Sequence, residues 1–336
     1  MTDTGLTLAR RFYHAELAPR LADVPHAAAL LGRGSEVLGF DDAISRDHDF
    51  GARVQIFLPE DVTTDSEGLP AEFEGHLTQV RTTTAAGYFT ALLGVDPAAG
   101  MTMADWLLSP TQVLATLTAG EVFADPHNLL TSRRAALTWY PDDIWRYALA
   151  AGWLRVSQEE PFVGRAGGTG DELGSAVIAA RLVRELIRLA FLIERRWAPY
   201  AKWLGRAFRE LHLAASLTPA LEAALAATGW RLREAALGRA ASILAEATNQ
   251  LRLAEPQDPT TRPFYTRDIQ VLSSERFTEA LAIAVTDPPL RALIDDASRR
   301  ADGVLTVRGT IDQVVDSVDV LDNPARCRAS APALGL

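Results

Sequence analysis

Gly34-Ser35 and Asp47-His48-Asp49 are the residues of this chain whose types and spacing could do chemistry. Eleven residues separate the two groups, and the strand-like run Arg53-Val-Gln-Ile-Phe-Leu58 follows the second. Side chains on a strand alternate between faces, so Asp47 and Asp49 are expected on one face and His48 on the other, packed against the back of a sheet. Two neighbouring carboxylates repel each other and stay ionised together most easily with a divalent cation between them. A hard cation, Mg²⁺ or Mn²⁺, takes a few carboxylate oxygens and completes its shell with water and substrate phosphates. Gly34 lets the backbone approach a ligand closely. Ser35 adds a hydroxyl, and the amides of such a turn can hold phosphate oxygens. Arg53 is placed to neutralise phosphate charge or to pair with an acid.

The Gly-Ser turn, a spacer of about ten residues and an Asp-x-Asp pair together resemble the nucleotidyltransferase superfamily of the DNA polymerase beta type. The wider stretches Gly34-Ser-Glu-Val-Leu-Gly-Phe-Asp-Asp42 and Ser45-Arg-Asp-His-Asp49 look like an uncharacterised bacterial group within it. So do Tyr140-Pro-Asp-Asp-Ile-Trp145, Pro199-Tyr-Ala-Lys-Trp-Leu204 and Gly309-Thr-Ile-Asp-Gln313. The resemblance thus covers nearly the whole chain. It implies that Gly34 and Ser35 hold a nucleoside triphosphate, with ATP the expected donor, and that Asp47 and Asp49 bind the metals. Relatives carry a third carboxylate on a later strand. The β-branched run at 76–84 has none, although Glu72 and Glu74 precede it. Asp125 closes the short strand-like run 121–125 and is the candidate third acid; an acid from 159–172 is the other choice. The pair Asp125-Pro126 also reads as a plain turn start. Lys202, the one lysine beside thirty-two arginines, lies in one of the resembling stretches and is a candidate phosphate ligand.

The elements that must position these residues fall into two regions. The fold class expected is α+β: a small mixed-sheet domain over 1–130, then a mostly α-helical domain over 131–336. Apolar spacing predicts a helix over 6–20. A short helix or strand at 25–32, strands at 52–58, 76–84 and 121–125, and helices at 85–94 and 102–119 follow. From 131 onward helical periodicity dominates, with Trp139, Trp145 and Trp153 as core. The stretch 158–175 holds five glycines and reads as a long loop. A strong helix follows at 176–193, another from Pro199, and two more over 217–253 that break at Gly229. Residues 264–285 read as helical, a final helix is expected near 310–321, and 323–336 reads as a frayed tail with Cys327 a free thiol in it.

Composition narrows the function. A chain of 336 residues, 48% hydrophobic, buries a sizeable core. Its net charge of −10 disfavours a protein whose main ligand is a phosphate backbone, so nucleic acid is not expected as the partner. One cysteine excludes an internal disulfide. No apolar run is long enough to span a membrane and no leader pattern opens the chain, so a cytoplasmic protein is expected. The expectation is a metal-dependent transfer of a nucleoside monophosphate to a hydroxyl of a small acceptor. A toxin acting on transfer RNA or protein, and a non-catalytic nucleotide-binding protein, are the alternatives.

Overall fold

Thr4 and Thr7 form a reciprocal cap that starts helix α1 (Gly5–Phe12), and a single π turn carries the chain on through Leu17. The stripe Leu8, Ala9, Phe12 and Tyr13 is buried, as its spacing requires. It lies against one face of a sheet whose strands are β1 (Ala27–Leu30), β2 (Ala52–Phe57), β3 (Glu72–Phe73), β4 (His76–Thr83) and β5 (Glu121–Ala124). A computed structural model describes residues 4–42, 51–60, 62, 68–299, 301 and 303–336. The strand order is β3-β4-β2-β1-β5. β1 runs antiparallel to β2 and β5, while β2 and β4 are parallel, so the sheet is mixed.

Alternation on β2 decides which side of the sheet does what. Ala52, Val54 and Ile56 join Ala28 and Leu30 in the core beneath α1. Arg53 and Gln55 point to the other side. On β4, Val80 packs against the core while Gln79 and Arg81 share the side of Arg53. One face is therefore apolar and covered, and the opposite face is polar.

Helices α2 (Ala85–Leu93), α3 (Met103–Leu108) and α4 (Thr111–Thr118) follow β4. The single helix expected over 102–119 is broken at Pro110, whose ring occupies the position before α4 and cannot continue a helix. The chain divides into two compact units: residues 1–105, 109–139 and 319–326 form the first, and residues 106–108, 140–318 and 327–336 the second. The first unit does not stop at 130. Helix α5 (Thr131–Ala136) is fastened to it, because Arg133 pairs with Asp96 at 2.7 Å and Arg134 donates to the carbonyls of Leu117, Thr118 and Ala119. Segment 319–326 is fastened there too. Asp322 accepts from the buried Gln112 amide at 2.6 Å and pairs with Arg33 at 3.1 Å.

The second unit is helical. Its main members are α6 (Asp142–Glu159), α7 (Phe162–Gly167), α8 (Glu172–Ile193), α9 (Ala201–Phe208), α10 (Ala214–Ala226) and α11 (Trp230–Gln250). A two-stranded hairpin, β6 (Arg262–Pro263) with β7 (Gln270–Val271), precedes α12 (Glu275–Ile283) and α13 (Pro288–Asp295). Short helices α14 (Ile311–Val314), α15 (Val318–Leu321), α16 (Pro324–Ala329) and α17 (Ala331–Leu334) end the chain. Trp145 and Trp153 are core, as expected; Trp153 stacks on Phe277 at 4.7 Å and donates to the Thr248 hydroxyl.

Three expectations are corrected. The glycine-rich stretch is not a loop, since α6, α7 and α8 occupy most of it. Gly167 is there for contact: a Cβ on it would stand 2.2 Å from the Cβ of Trp230. The helix expected over 264–285 is confined to α12, because 262–271 closes as the hairpin. The tail is folded as well, with Cys327 buried on α16.

Candidate functional site: a basic cleft beside a glycine turn

The turn after β1 is held by a side chain that imitates a neighbouring strand. The Gln55 amide accepts from Leu31 N at 2.9 Å and donates to Leu31 O at 2.8 Å. Gly32 then donates to the Thr116 carbonyl at 3.0 Å. Its φ is +86°, and a Cβ there would meet the Tyr88 hydroxyl at 2.4 Å. Gly34 has φ +145°, and its Cβ would stand 2.6 Å from a Glu36 carboxylate oxygen and 2.7 Å from Arg53. Both positions thus favour glycine: a side chain would strain the backbone and displace the group beside it. Past Gly34 the chain curls, with Phe40 N donating to Ser35 O at 2.8 Å. The Ser35 hydroxyl, half-buried, takes no hydrogen-bond partner among the described residues.

Charge gathers on the same face. Arg53 forms an ion pair with buried Glu36 and donates to the Arg33 carbonyl at 3.3 Å. Burial lowers the Arg53 pKa, and the nearby Arg81 lowers it further. Guanidinium starts so basic that Arg53 keeps its charge. Arg81 is exposed and has no ion-pair partner among the described residues. Tyr88, at the rim, is pushed up to about 12 by burial, so its hydroxyl stays protonated and can only donate or accept hydrogen bonds. A cavity of about 430 Å³ opens here, lined by Gly32, Arg33, Arg53, Gln55, Arg81 and Tyr88 among others. A net-negative chain thus presents a hollow with three guanidinium groups. Such a hollow suits a polyanion of phosphate type, which guanidinium binds with paired hydrogen bonds.

The structure brings Gly34 and Arg53 together, and Ser35, next in the chain, is not among the residues that line the hollow. Asp47, His48 and Asp49 lie outside the described residues. Asp125 is elsewhere. Ala124 pairs with Ala28 and Glu121 with Leu30, so Asp125 follows the end of β5 that lies away from the glycine turn. Its carboxylate caps the start of α5, accepting from the amides of Leu129, Leu130 and Thr131 and from the Thr131 hydroxyl at 2.7–3.0 Å. The turn-forming reading of Asp125 is the one its bonds express. Lys202 belongs to the second unit, exposed on α9 with its ammonium 4.8 Å from the centre of the Trp203 ring. Among the described residues no group of three His, Cys, Asp or Glu side chains could hold a metal ion. Glu36, which follows the turn, is engaged with Arg53. A metal would therefore depend on Asp47 and Asp49.

Sequence reasoning missed Gln55, Arg81, Tyr88 and Glu36. The signal for two of them was present: Gln55 shares the odd parity of Arg53 on one strand, and Arg81 stands out on the next. Which strand lies beside which was not legible, and that pairing is what turns two polar residues into one cleft.

Fold and cleft define an α+β protein with a mixed sheet, a following helical region, and an arginine-lined hollow beside a glycine turn. Residues 106–204 match the model of a domain of unknown function, DUF4037. No curated protein matches the chain. Among solved structures, a nucleotidyltransferase-like protein from Exiguobacterium sibiricum aligns over 88% of this chain and 95% of its own, at 13% identity and a TM-score of 0.34. A score that low carries no argument about this chain. Among the described residues, no helix is long and apolar enough to cross a membrane.

Proposed function

We propose that the protein is a nucleotidyltransferase that moves a nucleoside monophosphate from a nucleoside triphosphate to a hydroxyl of a small acceptor and releases pyrophosphate. The observation that carries this reading is a cleft lined by Gly32, Arg33, Arg53 and Arg81, with the Gly34 backbone close beside Arg53. That combination supports a triphosphate-binding role. Ser35 offers a hydroxyl that has no hydrogen-bond partner among the described residues, and Arg53 and Arg81 offset charge that builds on departing pyrophosphate. Asp47 and Asp49, by their resemblance to the superfamily's Asp-x-Asp pair, would hold Mg²⁺ or Mn²⁺. The metal, when bound, stabilises charge on the attacking and leaving oxygens. Lys202 stays a candidate phosphate ligand by virtue of its sequence context. A triphosphate donor, with ATP the first to test, goes with a cytoplasmic setting.

The cleft side of β4 carries Gln79 and Arg81 and no carboxylate. That feature favours a second reading, a protein that binds the nucleotide without transferring it. One experiment separates the two. The chain is incubated with Mg²⁺, each labelled triphosphate and a metabolite extract, and both bound nucleotide and released pyrophosphate are followed. Transfer predicts pyrophosphate release that Asp49→Asn abolishes while nucleotide binding persists. Binding without release, by a protein of intact fold, selects the second reading. No binding of any triphosphate refutes both.

A further inference from the structure

The helical unit carries a second hollow, of about 480 Å³, where the end of α6, the start of α7, the β6–β7 hairpin and the start of α12 meet. Its volume is that of a small-molecule site. Glu160, Phe162, Arg165, Phe264, Tyr265 and Glu275 line it. Its rings are poorly covered: Phe162 is 40% and Tyr265 72% exposed. Phe264 meets Tyr265 edge-on at 4.8 Å. One exposed ring is ordinary; two exposed rings and half-buried Phe264 around one concavity form an apolar wall without a filling.

The charges of the hollow divide by whether they are already used. Glu160 is used. Its two carboxylate oxygens accept from Leu272 N and Ser274 N, both at 2.8 Å, and pin Ser273 between them at φ +61°. Glu275 is half-buried and has neither a hydrogen-bond nor an ion-pair partner among the described residues. Arg165 lies over the Phe162 ring, 5.4 Å from its centre, and likewise has no carboxylate partner among them. The two do not pair with each other. Elsewhere on this chain arginines pair freely with nearby acids, as Arg133–Asp96 and Arg231–Asp268 do. A carboxylate and a guanidinium that face one aromatic-walled hollow, each without an ion-pair partner among the described residues, match a ligand that carries both opposite charges and a ring.

We infer that this hollow binds a small aromatic zwitterion, of the free aromatic amino acid type. Its ammonium sits at Glu275, its carboxylate on Arg165, and its ring among Phe162, Phe264 and Tyr265. The inference does not rest on the transferase reading, and its test involves no nucleotide.

The test is isothermal titration of the full chain with three probes that share a phenyl ring. L-phenylalanine has both charges, phenethylamine only the ammonium, and 3-phenylpropionate only the carboxylate. L-phenylalanine should bind, and each single-charge probe should bind about tenfold more weakly or worse, because one charged hydrogen bond is lost. Glu275→Gln should erase the advantage of L-phenylalanine over 3-phenylpropionate. Arg165→Gln should erase its advantage over phenethylamine. Both side chains reach solvent, so circular dichroism should report an unchanged fold. Equal binding of the three probes, an unchanged ranking in both folded variants, or no heat with millimolar L-phenylalanine overturns the inference.

Discussion

Glu160 makes the stability of the helical unit depend on pH in a direction that can be worked out beforehand. Burial pushes its carboxyl from 4.5 up to about 7, and neighbouring Glu275 pushes the same way, while the amides of Ser274 and Leu272 pull it down. The raised value means that the folded chain holds the proton more tightly than the unfolded chain does. The stabilisation is therefore complete below about pH 4.5 and lost as pH rises through about 7. Between pH 4.5 and 8 the loss amounts to about 3 kcal/mol, since each tenfold difference in proton affinity between the folded and unfolded chain is worth about 1.4 kcal/mol. Glu160→Gln removes the titration and keeps the shape. The quantity to follow is the difference in unfolding free energy between wild type and variant, since titrating groups not coupled to Glu160 cancel. Urea unfolding read by tryptophan fluorescence suits the purpose, because Trp106, Trp145, Trp153, Trp197, Trp203 and Trp230 all belong to this unit. The difference should shift against wild type by about 3 kcal/mol from pH 4.5 to pH 8. A flat difference, or one that moves towards wild type as pH rises, refutes the reasoning about this carboxylate.

Other substitutions test the remaining assignments. Gly167→Ala should cost about 1–3 kcal/mol of unfolding free energy, because the new methyl must push against the Trp230 side chain; wild-type stability in denaturant would return 158–175 to the status of a loop. Gly34→Ala should strain the backbone by about 1–3 kcal/mol and weaken triphosphate binding at least about tenfold, measured by equilibrium dialysis. Unchanged affinity there would remove the turn from the site. Asp125→Ala should lower stability by about 1–2 kcal/mol through the lost cap on α5 and leave nucleotide affinity alone; a selective loss of pyrophosphate release would restore it as a site residue. Gln55→Leu strips two hydrogen bonds from Leu31 and should loosen nucleotide binding more than it changes the melting temperature.

What could be read ahead of the structure depended on period. The alternation Ala52, Val54, Ile56 against Arg53, Gln55 made β2 legible together with its two faces. The α1 stripe was legible for the same reason at helical spacing. Glycine content was misleading. Gly34 works by freedom of φ, whereas Gly167 works by having no Cβ beside Trp230, and a count of glycines does not separate the two uses. Cys327 and its neighbours read as a tail because few apolar residues surround them. What buries them is contact with residues distant in the chain, and no local pattern encodes that. The cleft was half legible. Its glycines and Arg53 lie close in sequence, but Arg81 and Tyr88 arrive through the parallel pairing of β2 with β4 and through α2.

The Asp322 anchor bears on the order of synthesis. A ribosome delivers the sheet, α1 and α5 long before it delivers residue 322. Until then the Gln112 amide, buried in the finished molecule, faces a gap where its acceptor belongs, and Arg33 beside the glycine turn lacks its counter-charge. The unit whose sheet is made first is thus completed by a piece that follows residues 140–318 of the other unit. Nascent chains halted before that point would expose an incomplete nucleus to chaperones and proteases, although nearly all of its sheet had already been made.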